Sequence, residues 1–151
     1  MKIRIELDEN ITEEEVVIKV KSYDERIIKI QRHLADVMNL EHKITLYKGD
    51  TSYYIPLENI LFFETEGNMV YSHTAKEVYV TKSKLYELEE ELPGHFMRVS
   101  KSTILNVKKV YSMTVTLPST RLVEFQSSHK QVYVSRYYYK PLQIKLGEVR
   151  N

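Results

Sequence analysis

Apolar and polar positions alternate along two short stretches near the start of the chain, Lys2–Leu7 and Glu15–Lys21, as they do in half-buried strands. The period then changes. Across Asp24–Asn39 the side chains of Ile27, Ile30, Leu34 and Val37 recur at three- and four-residue spacing, which predicts an amphipathic helix, and Ser22 and Glu25 stand at capping-box spacing just before it. Two strands and one helix bury little surface by themselves, so residues 1–43 are expected to form a small ββα appendage that packs on the rest of the chain or on a second copy.

From Ile44 the pattern becomes a series of short segments rich in Tyr, Val, Ile and Thr, separated by turn residues. Ile44–Lys48 and Ser52–Ile55 read as a hairpin closed at Gly49-Asp50. Ile60–Thr65 is apolar almost throughout, as a fully buried strand would be, and Gly67-Asn68 turns the chain into Met69–His73. Val78–Thr81 follows. Leu85, Leu88 and Leu92 share one face of a helix predicted over Ser83–Leu92, which Pro93-Gly94 stops. Strands are expected again at Val107–Thr116, Arg121–Phe125 and Gln131–Val134, then a short helix over Arg136–Lys145. The fold class is mostly β (α+β), with one main domain over residues 44–151.

Composition removes several classes of function. The 151 residues include no cysteine, which excludes disulfides and thiolate metal sites and suits a reducing cytoplasm. No apolar run approaches the roughly 18 residues of a membrane span, and the acidic start does not read as a signal peptide. Four glycines, at 49, 67, 94 and 147, cannot spell a dinucleotide fingerprint or a P-loop, and the five histidines lack metal-site spacing. No catalytic motif is present and no cofactor is expected.

Charge redirects the question. Residues 1–43 carry 8 basic and 10 acidic side chains and residues 44–94 carry 4 and 9, whereas residues 95–145 carry 9 basic side chains and the single acid Glu124. A polyanionic partner fits this cationic third. Within it, "MRVSKSTILNVKK" mixes phosphate-binding groups with anchors: Arg98, Lys101, Ser102 and Thr103 lie among Val99, Ile104, Leu105 and Val107, followed by Lys108 and Lys109. The plain alternative is a Ser-Thr cap opening a helical turn at Ile104, with the lysines merely solvated.

Four pieces resemble, in order and spacing, the LytTR family of bacterial DNA-binding domains: "IPLENILFFET", "VYVTKSKLYELEEELPGHF", "MRVSKSTILNVKKV" and "QVYVSRYYYKPLQ". The resemblance implies an antiparallel LytTR-type β fold with few short helices, which docks inter-strand loops in successive major grooves. It implies base contacts from Asn68, Lys101 and Arg136, and backbone or nearby contacts from Thr81, Lys82, Ser83, Arg98 and Ser102, to which charge adds Lys108 and Lys109. Arg can fork onto guanine N7 and O6, Lys reaches the same acceptors, and Asn offers a paired donor and acceptor. Many members read His-Arg-Ser or His-Asn-Ser where this chain reads Ser100-Lys101-Ser102.

About 43 residues precede the domain, too few for the receiver that many response regulators carry. The expected protein is thus a stand-alone, cytoplasmic regulator that binds promoter direct repeats in double-stranded DNA, its appendage serving a homodimer or an inhibitory membrane protein. The rival reading is a scaffold domain whose basic face meets an acidic protein.

Overall fold

The segment Ile60–Thr65 is apolar at consecutive positions because the strand it leads into is covered on both faces. In the computed structural model, which describes residues 1–38, 42–116 and 120–150, that strand is β3 (Phe62–Glu66). Before it come α1 (Glu25–Met38), β1 (Lys43–Lys48) and β2 (Thr51–Pro56). After it come β4 (Met69–His73), β5 (Val78–Thr81), α2 (Leu85–Glu91), β6 (Phe96–Ser100), β7 (Thr103–Asn106), β8 (Val110–Thr116), β9 (Thr120–Phe125), β10 (Gln131–Val134) and α3 (Tyr139–Arg150). A seven-stranded sheet runs β2-β1-β5-β4-β3-β7-β6, and a second runs β10-β9-β8. The pairings are antiparallel. This is the mostly β, antiparallel architecture the sequence implied.

Successive residues of β3 feed separate cores. Phe62 points to the second sheet, where it packs with Val99, Leu105, Val123, Phe125, Val134 and Leu142 of α3. Phe63 points the other way, to Leu46, Ile60, Leu85, Leu88, Phe96 and Ile104 under α2. The same alternation holds in β7, where Ile104 and Leu105 lie opposite Phe63 and Phe62. Both cores therefore lock one register of β3 against β7, since a one-residue slip would exchange their side chains.

The hairpin β6–β7 is the largest departure from the expected elements. Ile104 sits in the middle of β7, so no helical turn opens there. All four residues of β7 are buried between β3 and β6, including the polar Thr103 and Asn106, and a helix-or-strand pattern is hard to read when no face is solvated. Asn106 is held by its Nδ2, which donates to the Ile60 carbonyl at 3.0 Å, and its Oδ1, which accepts from the Lys108 N–H at 3.1 Å. That second bond caps the start of a 3-10 turn over Val107–Lys109, which the Val110 N–H closes by donating to the Val107 carbonyl, so β8 begins at Val110 instead of Val107.

Of the expected ββα appendage the single chain shows the helix alone. Its helix forms, but Asp24 caps it, with Oδ1 accepting from the Ile27 N–H at 3.2 Å, and Ser22 does not. Asn39 lies outside the described residues. Neither Lys2–Leu7 nor Glu15–Lys21 forms a strand, because neither finds a partner for its backbone within the single chain. The α1 helix touches the domain through Asp36, whose Oδ2 accepts from the Gly94 N–H at 3.2 Å. No helix among the described residues is long and apolar enough to cross a membrane.

Candidate nucleic-acid interface

Strand pairing brings four chain segments to one pole of the molecule. The β3–β4 turn at Gly67-Asn68 and the β6–β7 turn at Lys101 are neighbours, because Glu64 pairs with Thr103 and the Thr65 N–H donates to the Ser102 carbonyl at 2.8 Å. Beside β4 lies the end of β5, with Thr81 opposite Val70. From the second sheet, the Ser135 N–H donates to the Val99 carbonyl at 2.9 Å, which sets Arg136 next to the β6–β7 turn. Across the pole the order is Lys82, Asn68, Lys101, Arg136. With strands about 4.8 Å apart, the row spans roughly 20 Å, the scale of a groove and its flanking phosphates.

Asn68, Lys101 and Arg136 are all exposed. Each is placed by a local device. Gly67 takes φ +62°, a left-handed conformation that suits glycine, so the two-residue turn can present Asn68 at its tip. The β6–β7 turn is tied internally: the Ser100 hydroxyl accepts from the Ser102 N–H at 3.2 Å, and a register shift between Arg98 and Ser100 twists the strand as it enters the turn. Arg136 opens a 3-10 turn that runs into α3.

The residues expected at the phosphates differ among themselves. Lys82 is exposed, and its Nζ lies 4.1 Å from the centre of the Tyr47 ring, a cation–π contact that steadies the ammonium. Thr81 is buried, and its Oγ1 accepts from the Ser83 N–H at 3.3 Å, so it shapes the bend after β5. Ser102 is half-buried inside the turn.

Arg98 faces protein. Its Nε donates to the Ser100 carbonyl at 2.8 Å, its Nη2 to the Lys101 carbonyl at 2.6 Å, and its Nη1 pairs with Glu89 at 2.9 Å. It braces the Lys101 turn from below.

Lys108 and Lys109 are not brought to this pole. The chain reaches them only after β7 has crossed the sheet, and they line a cleft shared with Lys29, Arg32 and Asp36 of α1. Two basic residues that the sequence did not single out lie near Arg136. Arg121 pairs across β9–β10 with Val134, and its guanidinium lies 4.7 Å from the centre of the Tyr139 ring, with Nε buried and unbonded. Lys140 is exposed four residues after Arg136. Segment charge could have flagged both, but only strand register tells which pole a residue occupies. Acid is present too: burial, and then the charge of Glu66, raises the Glu64 carboxyl above its ordinary value, which eases loss of a negative charge close to a polyanion.

Comparison with known proteins agrees with this fold. The family model described as the LytTr DNA-binding domain matches residues 50–147. The solved LytTr DNA-binding domain of a Bacillus cereus protein named as a methyl-accepting/DNA response regulator superposes with a TM-score of 0.64 at 25% identity, covering 71% of this chain and 98% of that one. An uncharacterized HTH-type transcriptional regulator of Staphylococcus aureus strain NCTC 8325 is 27% identical over 148 residues, which is 97% of this chain and 99% of that protein. A counterpart from strain MRSA252 is 26% identical over 148 residues, with the same shares. The helix-turn-helix of those names has no counterpart among the described residues, whose three α-helices are separated from one another by strands. With the family model covering most of the chain, and the fold and order of elements agreeing, this protein belongs to the LytTR family.

Proposed function

We propose that the chain is a sequence-specific, double-stranded DNA-binding transcription regulator of the cytoplasm, which reads promoter direct repeats by laying its inter-strand turns in the major groove. The observation that carries this reading is the row of exposed Lys82, Asn68, Lys101 and Arg136 at one pole of a LytTR domain. Asn68, Lys101 and Arg136 are the base readers. Lys82 and Ser83, joined by Arg121 and Lys140, neutralise or bind phosphates. Arg98, with its donors spent on the Ser100 and Lys101 carbonyls, acts by positioning the Lys101 turn. Lys108 and Lys109, at the far end of β7, contribute to the long-range field more than to direct contact.

Selecting bound duplexes from a random pool tests the proposal. A recovered pair of similarly oriented half-sites is the expected result, with affinity falling steeply as salt rises, because bound cations release condensed counterions. A pool that stays random, or binding that is indifferent to salt, would instead favour an acidic protein as the partner of the basic face.

A further inference from the structure

The first 24 residues carry apolar side chains that nothing in the single chain covers. Ile3, Ile5 and Leu7 are 93, 82 and 95% exposed, and Val16, Val17 and Val20 are exposed as well. These residues alternate like strands, yet no ladder forms between them.

Charge accounts for this. An antiparallel hairpin that puts both apolar faces on one side must set Ile5 opposite Val16, Ile18 or Val20. The first choice puts Lys2 against Lys19 and Glu6 against Glu15; the second puts Lys2 against Lys21 and Arg4 against Lys19; the third puts Arg4 against Lys21. Like charges directly opposite destabilise a sheet. Parallel pairing within the chain needs a crossover of about a dozen residues, and only residues 9–14 lie between.

A second copy removes every one of these conflicts. We infer that residues 2–8 and 15–21 form a four-stranded intermolecular sheet with the same segments of another copy of this chain. In the centre, two copies of residues 2–8 run antiparallel about Ile5, so that Ile5 faces Ile5, Ile3 faces Leu7, Arg4 faces Glu6 and Lys2 faces Asp8. A register shifted by two residues would oppose Arg4 to Arg4 or Glu6 to Glu6, and a shift of one would oppose apolar to charged positions. In the single chain Arg4 pairs with Glu6 of its own segment at 2.9 Å, both well exposed, and these groups are free to change partner.

On its outer side each central strand takes residues 15–21 of the other copy in parallel. Lys2 then faces Glu15, Ile3 faces Val16, Ile5 faces Ile18, Glu6 faces Lys19, Leu7 faces Val20 and Asp8 faces Lys21. The two registers are compatible, since Asp8 and Glu15 of one copy both flank Lys2 of the other. Residues 9–14 need only pass over the end of one strand, a span of roughly 10 Å. All the large apolar residues except Val17 share one face. The α1 helix follows directly; its Ile27 is already buried and its Ile30 and Leu34 half-buried within the single chain, while Val37 is exposed.

This inference does not depend on DNA binding, and its test contains no DNA. The chain has no cysteine, so the full-length Ile5→Cys variant carries one thiol, set opposite its twin at a Cα separation of about 4.5–5.5 Å, within disulfide reach. Mild oxidation should give a covalent dimer of Ile5→Cys and little or none of Lys2→Cys, which faces Asp8. By sedimentation, the unmodified chain should be a dimer. Arg4→Glu should weaken dimerisation at least tenfold, because it sets a second carboxylate opposite Glu6, and Arg4→Glu with Glu6→Arg and Lys19→Glu should restore it. A wild-type monomer at tens of micromolar, equal cross-linking of Lys2→Cys, or failure of the triple variant to recover would overturn the pairing.

Discussion

At the scale of single residues, exposure separates readers from supports. Arg136 is exposed and can fork onto a guanine, so Arg136→Ala is expected to cost on the order of 1–3 kcal/mol at one base step and to flatten preference there, measured by competition between a selected site and its single-base variants. Arg98 is a different case. With its guanidinium committed to two carbonyls of the Lys101 turn and to Glu89, Arg98→Ala should weaken specific binding while leaving the salt slope nearly unchanged, since no phosphate contact is lost. A slope reduced by about one would make Arg98 a phosphate ligand after all. The sequence displayed all of these residues, but not which of them had spent their donors on the protein. Hydrogen bonds across a turn depend on the path of the backbone, and that path is not written in residue type.

At the scale of elements, the turns carry the proposed interface. Gly67 holds φ +62° with open space around it, so Gly67→Ala meets no clash but must adopt a left-handed conformation at a cost of about 1–2 kcal/mol. The expected outcome is a modest drop in thermal stability and a larger loss of specific binding, as the turn carrying Asn68 relaxes. Strands β4, β5 and β10 coincide with the segments expected from residue pattern, because each has one face in a core and one toward solvent. The β6–β7 hairpin was not legible, since β7 is buried on both faces and its polar residues are satisfied inside. Its chemistry drew attention in the sequence, while its conformation was set by β3 alongside it.

For the whole molecule, burial of two histidines links stability to pH. Burial first, and then Lys130, holds His73 at about 4; burial, and then Lys108, holds His95 at about 4, with Lys145 acting the same way and Asp36 opposing. The unfolded chain takes up these protons near 6.5 and the folded chain only near 4, so the unfolded state binds more protons in between. Stability should therefore be level above about pH 6.5 and fall as pH drops toward 4, by on the order of 1 kcal/mol per ring after allowance for partial solvent screening. Urea midpoints at pH 7.5 and 5 would check this, with His73→Phe expected to reduce the difference.

By itself the residue pattern determined the mostly β class, the two leucine- and isoleucine-striped helices and the sign of the surface, because periodicity and charge are local properties that each segment carries wherever it lies; the antiparallel arrangement came from the family resemblance. The tertiary structure decided which polar side chains share a pole. Lys82, Asn68, Lys101 and Arg136 come from distant parts of the chain and meet through strand pairing, while Lys108, seven residues from Lys101, is carried to the other end by β7. The structure also decided that the first two alternating segments form no ladder within one chain, since a strand exists only where another strand meets its backbone with compatible charge.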